Sequence, residues 1–152
     1  IVGRSATATR QLASRARRRV RGAAAAPDAD LRRQREVVDA FVAASRVGDF
    51  GALLEVLDPD VVVRADYGPL RPGGRVENRG AQSVAEQALQ FRRLAGASRP
   101  AVVNGTAGII VAPGGRPYAV LAFTIRGDRI TEIDILADPA RLGQLDLAVL
   151  DG

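Results

Sequence analysis

The charges along this chain are segregated, and that limits where a core can form. In "GRSATATRQLASRARRRVRG", Gly3 to Gly22, Arg15, Arg17, Arg18, Arg19 and Arg21 fall within seven residues, with no acid in the stretch. Such a run repels itself, and an unpaired guanidinium taken out of water is penalised by its lost hydration. It needs a polyanion, a membrane surface or water. Residues 1–35 hold ten arginines against Asp28 and Asp30, whereas the rest hold twelve against fifteen acids. The net charge of +5 is therefore a strongly basic arm joined to a mildly acidic body. With 47% of its 152 residues apolar, the chain can bury one domain core, and that core must come from the body.

Composition removes several chemistries. There is no Cys, so neither a disulfide nor a thiolate metal site can form. There is no His, the commonest catalytic base and metal ligand near neutral pH. All 22 basic residues are Arg, which with the abundant Ala reads as the codon usage of a GC-rich genome. No apolar run approaches the roughly 20 residues that a bilayer span needs. "RPGGR" and "PGGRP" read as turns, because neither opens a helix after a strand with phosphate-loop spacing. No cofactor, metal or membrane partner is expected, and the cytoplasm suits a cysteine-free chain. The first residue is Ile, so the chain is expected to be the later part of a longer protein.

The arm has a helical pattern. Ser5 is a good N-cap, and no Pro follows until Pro27. Thr9, Leu12, Ala13, Ala16 and Val20 make one apolar stripe at helical spacing. Thr7, Arg10, Gln11, Ser14 and Arg18 occupy the opposite face, and Gly22 ends the helix. Thr, Gln, Ser and Arg are side chains that reach base edges and phosphates in a DNA major groove. Arg17, Arg19 and Arg21 would then hold neighbouring phosphates. A solvated basic helix and an organelle-targeting segment carry the same charge, and charge alone does not separate the three.

"IVGRSATATRQLASRARRRVRG" resembles the end of region four of bacterial sigma factors of the extracytoplasmic-function (ECF) group, where a helix-turn-helix reads the promoter −35 element. "IVGRS" resembles the last turn of the first helix and the tight turn, with Gly3 in that turn. "ATATRQLASRARRRV" resembles the recognition helix. The resemblance implies DNA contacts from Arg10, Gln11, Ser14, Arg15 and Arg18, with promoter DNA and RNA polymerase core as partners of the full-length parent. The first helix of the motif is almost wholly absent here, as is region two.

"GAAAAPDAD", Gly22 to Asp30, reads as a linker. Residues 1–22 are thus assigned to the end of region four, 23–30 to the linker and 31–152 to the body. Asp30 can cap a helix to about Val47, with Val37, Val38, Phe41, Val42 and Ser45 inward. Asp49 can cap a second helix to about Leu57, and "DPD" at Asp58–Asp60 reads as a turn. "VVVRADY" reads as a strand and Gly68–Gly74 as a loop. A third helix is expected from Ala81 to Leu94, with Val84, Ala88, Phe91 and Leu94 inward. Three strand runs follow: Pro100 through Asn104 to Val111, Tyr118–Arg126, and Arg129–Leu136. Turns at Pro113–Gly115 and Gly127–Asp128 separate them. "DPARLGQLDLAVL" reads as a closing helix. Helices early and an antiparallel sheet late indicate an α+β fold.

This order resembles the cone shared by SnoaL-like polyketide cyclases, ketosteroid isomerases and nuclear-transport-factor-like proteins: a curved antiparallel or mixed sheet with three helices. "VVDAFVAASRVGDFGALLEVLDPDVVVRAD" carries most of the likeness, and "FTIRGDRITEIDILADPARL" resembles the final hairpin. One subgroup of ECF sigma factors carries a SnoaL-like domain after region four. "ADPARL" resembles that subgroup's Asn-Pro-Asp-Lys-Leu motif, so Asp138, Pro139 and Leu142 become a candidate regulatory motif, with Pro139 and Leu142 matching the pattern. The subgroup's Asp-Gly-Gly-Gly-Lys motif would fall near "ADYGPLRPGG", where Asp66 and Gly68 correspond. The combined resemblance implies a sigma factor whose activity the cone regulates.

The cone's enzymes use an Asp base with Tyr or Asp donors, so Asp66, Tyr67, Tyr118 and Asp134 are the catalytic candidates. Alternation puts Ile133 and Ile135 on one face of their strand, and Glu132 with Asp134 on the other. A Glu beside an Asp reads as a solvated face. Asp66 lies opposite Val61, Val63 and Ala65, and either ends its strand or enters a pocket. Without His, an isomerase or cyclase would need one of these carboxylates inside an apolar cavity. A ligand-binding domain is the third reading, with a small molecule in the cone and a homodimer formed through the sheet.

Overall fold

The computed structural model describes residues 27–69, 74–103, 105–142 and 148–149. The basic arm lies outside them, and with it Arg10, Gln11, Ser14, Arg15 and Arg18.

Two helices open the described chain: α1, Pro27–Val47, and α2, Phe50–Val56. α1 begins a turn before Asp30, with Pro27 first, where a fixed φ and a missing N–H cost nothing. Val37, Val38, Phe41 and Ala44 are buried along one side. Ser45 joins them because its hydroxyl donates to the Phe41 carbonyl at 2.9 Å. The chain turns at Gly48, and the Asp49 carboxylate accepts from the Ala52 N–H at 3.0 Å, capping α2.

A seven-stranded sheet follows: β1 (Leu57–Asp66), β2 (Arg75–Arg79), β3 (Ser98–Val103), β4 (Thr106–Val111), β5 (Ala119–Arg126), β6 (Arg129–Leu136) and β7 (Ala148–Val149). Their order is β2-β1-β6-β5-β4-β3-β7. β1 and β6 run parallel and the other pairs antiparallel. Register shifts in the β1–β6 and β5–β6 pairs bend the sheet. Helix α3 (Ala81–Gln90) and the short α4 (Arg92–Ala95) pack with α1 and α2 over one face; α5 (Pro139–Leu142) follows β6.

Alternation builds two cores. Val61, Val63, Ile109, Val111, Phe123 and Ile133 face the helices, and the Phe41 and Phe123 rings meet edge to face with centroids 5.5 Å apart. Ile110, Val120, Ala122 and Leu136 face away and pack with Ala101, Val103 and Leu142. The start of α1 is stitched to the β3–β4 hairpin: Arg35 donates to the backbone carbonyls of Ala101 (2.7 Å) and Gly108 (3.1 Å), and the side-chain Oε1 of Gln34 accepts from the Ala107 N–H at 3.1 Å. Burial pulls the Arg35 pKa below its ordinary value.

The local reading differs in four places. β2 lies between the expected loop and the third helix, where no element was expected. Its residues are mostly exposed and bury no apolar stripe, so they lack the periodic signal of a strand. The run from Pro100 to Val111 is a hairpin of two strands, β3 and β4, turning at Gly105 with φ +86. An Asn-Gly pair at 104–105 is a strong hairpin signal. "DPD" is absorbed into β1, though Asp58 Oδ1 still accepts from the Asp60 N–H at 2.8 Å, an Asx bend at the strand's irregular start. The closing helix is four residues long, and its chain returns to the sheet as β7 against β3.

Candidate functional site

The concave side of the sheet and the helices enclose an apolar cavity of about 120 Å³. α1 contributes Phe41, Val42 and Ser45; α3 contributes Val84, Gln87 and Ala88; the strands contribute Val63, Ile109, Leu121, Ile133 and Ile135. Phe91 and Tyr118 also line it while 44% and 43% exposed, so they mark its mouth. The helix expected from 81 to 94 tightens at Phe91, whose N–H donates to the Ala88 carbonyl at 3.1 Å, and α4 then starts afresh. Val84, Ala88, Phe91 and Leu94 all reach the cavity. Three of its polar groups already have partners within the protein. The Ser45 hydroxyl is held by α1, the Ser98 hydroxyl donates to the Leu94 carbonyl at 3.5 Å, and Gln87 Oε1 accepts from Asn78 Nδ2 at 2.8 Å.

The acidic candidates are elsewhere. In register, Asp66 sits opposite Leu136 and Arg64 opposite Asp134, on the face away from the cavity. Asp134 is buried, 8% exposed, rather than solvated as two neighbouring acids suggested. The cause is a charge row across the sheet that sequence alternation does not reveal. Arg64 stands between Glu77 of β2 and Asp134 of β6, and its Nη1 binds Glu132 Oε1 at 2.6 Å. That hydrogen bond holds the Arg64 pKa above its ordinary value against the opposing effect of burial. Tyr67 and Tyr118 do line the cavity.

Asp66 instead anchors an ionic clasp at the end of β1. Its Oδ2 accepts from Arg141 Nη1 at 2.7 Å and faces Arg75 Nε at 3.5 Å. Its Oδ1 accepts from the Gly68 N–H at 2.9 Å. Arg141 Nε also meets Asp138 Oδ2 at 3.1 Å, and the side chains of Arg141, Asp66 and Asp138 are 18%, 13% and 8% exposed. Asp138 lies flat against Gly68, whose φ is +87; a Cβ there would stand 2.6 Å from the Asp138 carboxyl carbon. Two distant stretches, "ADYG" and "ADPARL", thus form one cluster. Leu142 packs into the outer apolar core, and Pro139 is the first residue of α5. Among the described residues, no group of three or more acids is arranged to hold a metal ion. Sequence reading had not singled out Arg141. Its spacing from Asp138 was visible as an (i, i+3) pair, but its reach to Asp66, 75 residues away, was not.

Cavity and clasp share backbone. Tyr67 lines the cavity and Asp66 the clasp; Ala137 lines the cavity and Asp138 the clasp. The Ala137 N–H donates to the Asp66 carbonyl at 2.8 Å, tying the two pairs together.

No family model matches the sequence. Curated relatives do. The probable ECF RNA polymerase sigma factor SigI of Mycobacterium tuberculosis (strain CDC 1551 / Oshkosh) is 33% identical over 150 residues, covering 95% of this chain and 48% of the relative. ECF RNA polymerase sigma factor SigJ of Mycobacterium tuberculosis (strain ATCC 25618 / H37Rv) is 32% identical over 152 residues, covering 91% and 49%. The chain spans about half the length of the curated relatives it matches. Among solved structures, the extracytoplasmic function sigma factor SigJ of Mycobacterium tuberculosis matches with TM-score 0.60 and 26% identity, covering 72% of this chain and 44% of that one. A de novo designed protein with a curved β-sheet matches with TM-score 0.53 and 18% identity, covering 72% and 88%. The homologues of the chain are ECF sigma factors, and its fold is an α+β cone, a curved mixed sheet with helices packed over one face.

Proposed function

We propose that this chain is the carboxy-terminal part of an ECF sigma factor, ending in a cone that regulates the parent's transcription activity. One observation carries the reading: the similarity to sigma factors covers 95% of the chain, basic arm and cone together. In this reading Arg10, Gln11, Ser14, Arg15 and Arg18 face the −35 element, where arginine and glutamine suit base edges and phosphates. RNA polymerase core is the parent's protein partner, and the parent works in the cytoplasm. No helix among the described residues is long and apolar enough to cross a membrane.

The cone acts as a regulator rather than a catalyst. The carboxylates that an isomerase would use stand on the far face of the sheet, engaged with arginines. The clasp built by Asp66, Asp138 and Arg141, in the segment that also holds Pro139 and Leu142, is the element through which the cone acts on the rest of the parent. The test is transcription in vitro from the parent's promoter, with polymerase core and the parent either intact or ending at Asp30. A several-fold change in output is expected. Equal output would overturn the regulatory role. Arg15→Ala in the intact parent is expected to weaken promoter binding by roughly 5- to 100-fold, the range for losing one direct base contact. Unchanged binding would remove the arm from the DNA.

A further inference from the structure

The cavity is unoccupied by any side chain of the described protein, and its chemistry limits what fits. An apolar cavity of about 150 Å³ takes a benzene-sized molecule, and this one measures about 120 Å³ with an open mouth between Phe91 and Tyr118. Among the described residues, no charged side chain lines it. An ion would enter without a counter-charge and lose its hydration. Gln87 lines the cavity with its Oε1 engaged by Asn78 Nδ2, and the amide nitrogen of the same side chain is a hydrogen-bond donor. An occupant with one acceptor therefore matches the lining.

We propose that the cavity binds a neutral, predominantly apolar molecule of single-ring size carrying one hydrogen-bond acceptor, and that binding shifts the clasp formed by Asp66, Arg141 and Asp138. The ligand's contact surface includes Tyr67 and Ala137, each one residue from a clasp acid. Tyr67 directly follows the last residue of β1, and Ala137 and Asp138 directly follow the last residue of β6, so a backbone shift at Tyr67 or Ala137 is passed to the adjoining Asp66 or Asp138. The Ala137–Asp66 backbone bond makes the two ends move together. A ligand shifts the clasp only as far as it binds one arrangement better than the other. The inference rests on the cone being a regulatory module.

The probes are acetophenone and benzoate, equal in size, one neutral with a carbonyl acceptor and one anionic. With the 152-residue chain, acetophenone at ten times its Kd is expected to raise Tm by roughly 3–6 °C. It is also expected to move the backbone amide resonances of Gly68 and Asp138, whereas benzoate does neither. Ala88→Leu, which fills the cavity from α3, is expected to melt as a folded protein and to lose the acetophenone shift at least tenfold in affinity. Should that variant fail to fold, Gln87→Leu removes the donor without adding bulk, and a several-fold weaker acetophenone affinity is expected. Equal binding of both probes, or of neither, overturns the ligand class. Saturable binding that leaves Gly68 and Asp138 unmoved overturns the coupling. None of these readings involves transcription. A chain that binds nothing leaves the deletion result standing, and a parent indifferent to deletion leaves the binding result standing.

Discussion

Gly68→Ala is expected to cost on the order of 2–4 kcal/mol, from strain at a positive φ and from overpacking against a buried carboxylate. The φ of +87 is one that a side-chain-bearing residue adopts only with strain, and the new Cβ would meet all three terminal atoms of Asp138 at 2.6–2.9 Å. Asp138 cannot simply swing aside, because its carboxylate is held by Arg141 at 3.1 Å and is nearly buried. The substitution therefore opens the clasp as well as straining the loop. Arg141→Ala opens it from the other side and is expected to cost about 2 kcal/mol, the range for a hydrogen bond to a charged group. Because both changes break one cluster, the double variant should lose clearly less than the sum. Urea unfolding of the four proteins measures this. Additive losses would mean that Gly68 and Arg141 act separately. In the parent, both single variants are expected to change transcription in the direction that removing the cone changes it.

Gly108→Ala is expected to be at least as damaging, on the order of 3 kcal/mol, against a total stability of roughly 5–15 kcal/mol for a domain of this kind. A Cβ at Gly108 would stand 2.5 Å from the Leu121 carbonyl oxygen and 2.7 Å from Val103 Cγ2. Val103 is 3% exposed, so its side chain has no room to rotate away, and the carbonyl belongs to the backbone of β5. Relief requires β4 and β5 to part in the middle of the sheet. Their separation would also move the Gly108 carbonyl that Arg35 binds, loosening the start of α1. A fall in Tm of more than about 8 °C checks the expectation. An unchanged Tm would show that the sheet has room at this point.

The helices were legible because their signals are local. Asp49 caps α2 from the position where a cap was read, and Gly48 supplies the positive φ between the two helices. Val84, Ala88, Phe91 and Leu94 were read as one inward stripe from spacing alone, and all four reach the cavity. The final strands were legible through alternation, with Ile133 and Ile135 set apart from Glu132 and Asp134. β2 was not legible, because an edge strand rich in charge buries nothing periodic. Nor was the burial of Asp134, which depends on side chains from other strands.

The candidate site divides in the same way. Asp66, Gly68, Asp138 and Leu142 stood out by resemblance to two short motifs, but only the fold joins those motifs through Arg141. Sequence by itself determined the charge division, the α+β order of elements and the residues with an apolar side to hide, since these follow from composition and period along one segment. Tertiary structure decided that the acids face away from the cavity, which arginine pairs with them, and that a cavity remains at all. Those depend on the parallel pairing of β1 with β6, which brings positions about 70 residues apart to hydrogen-bond distance, and no local pattern encodes that contact.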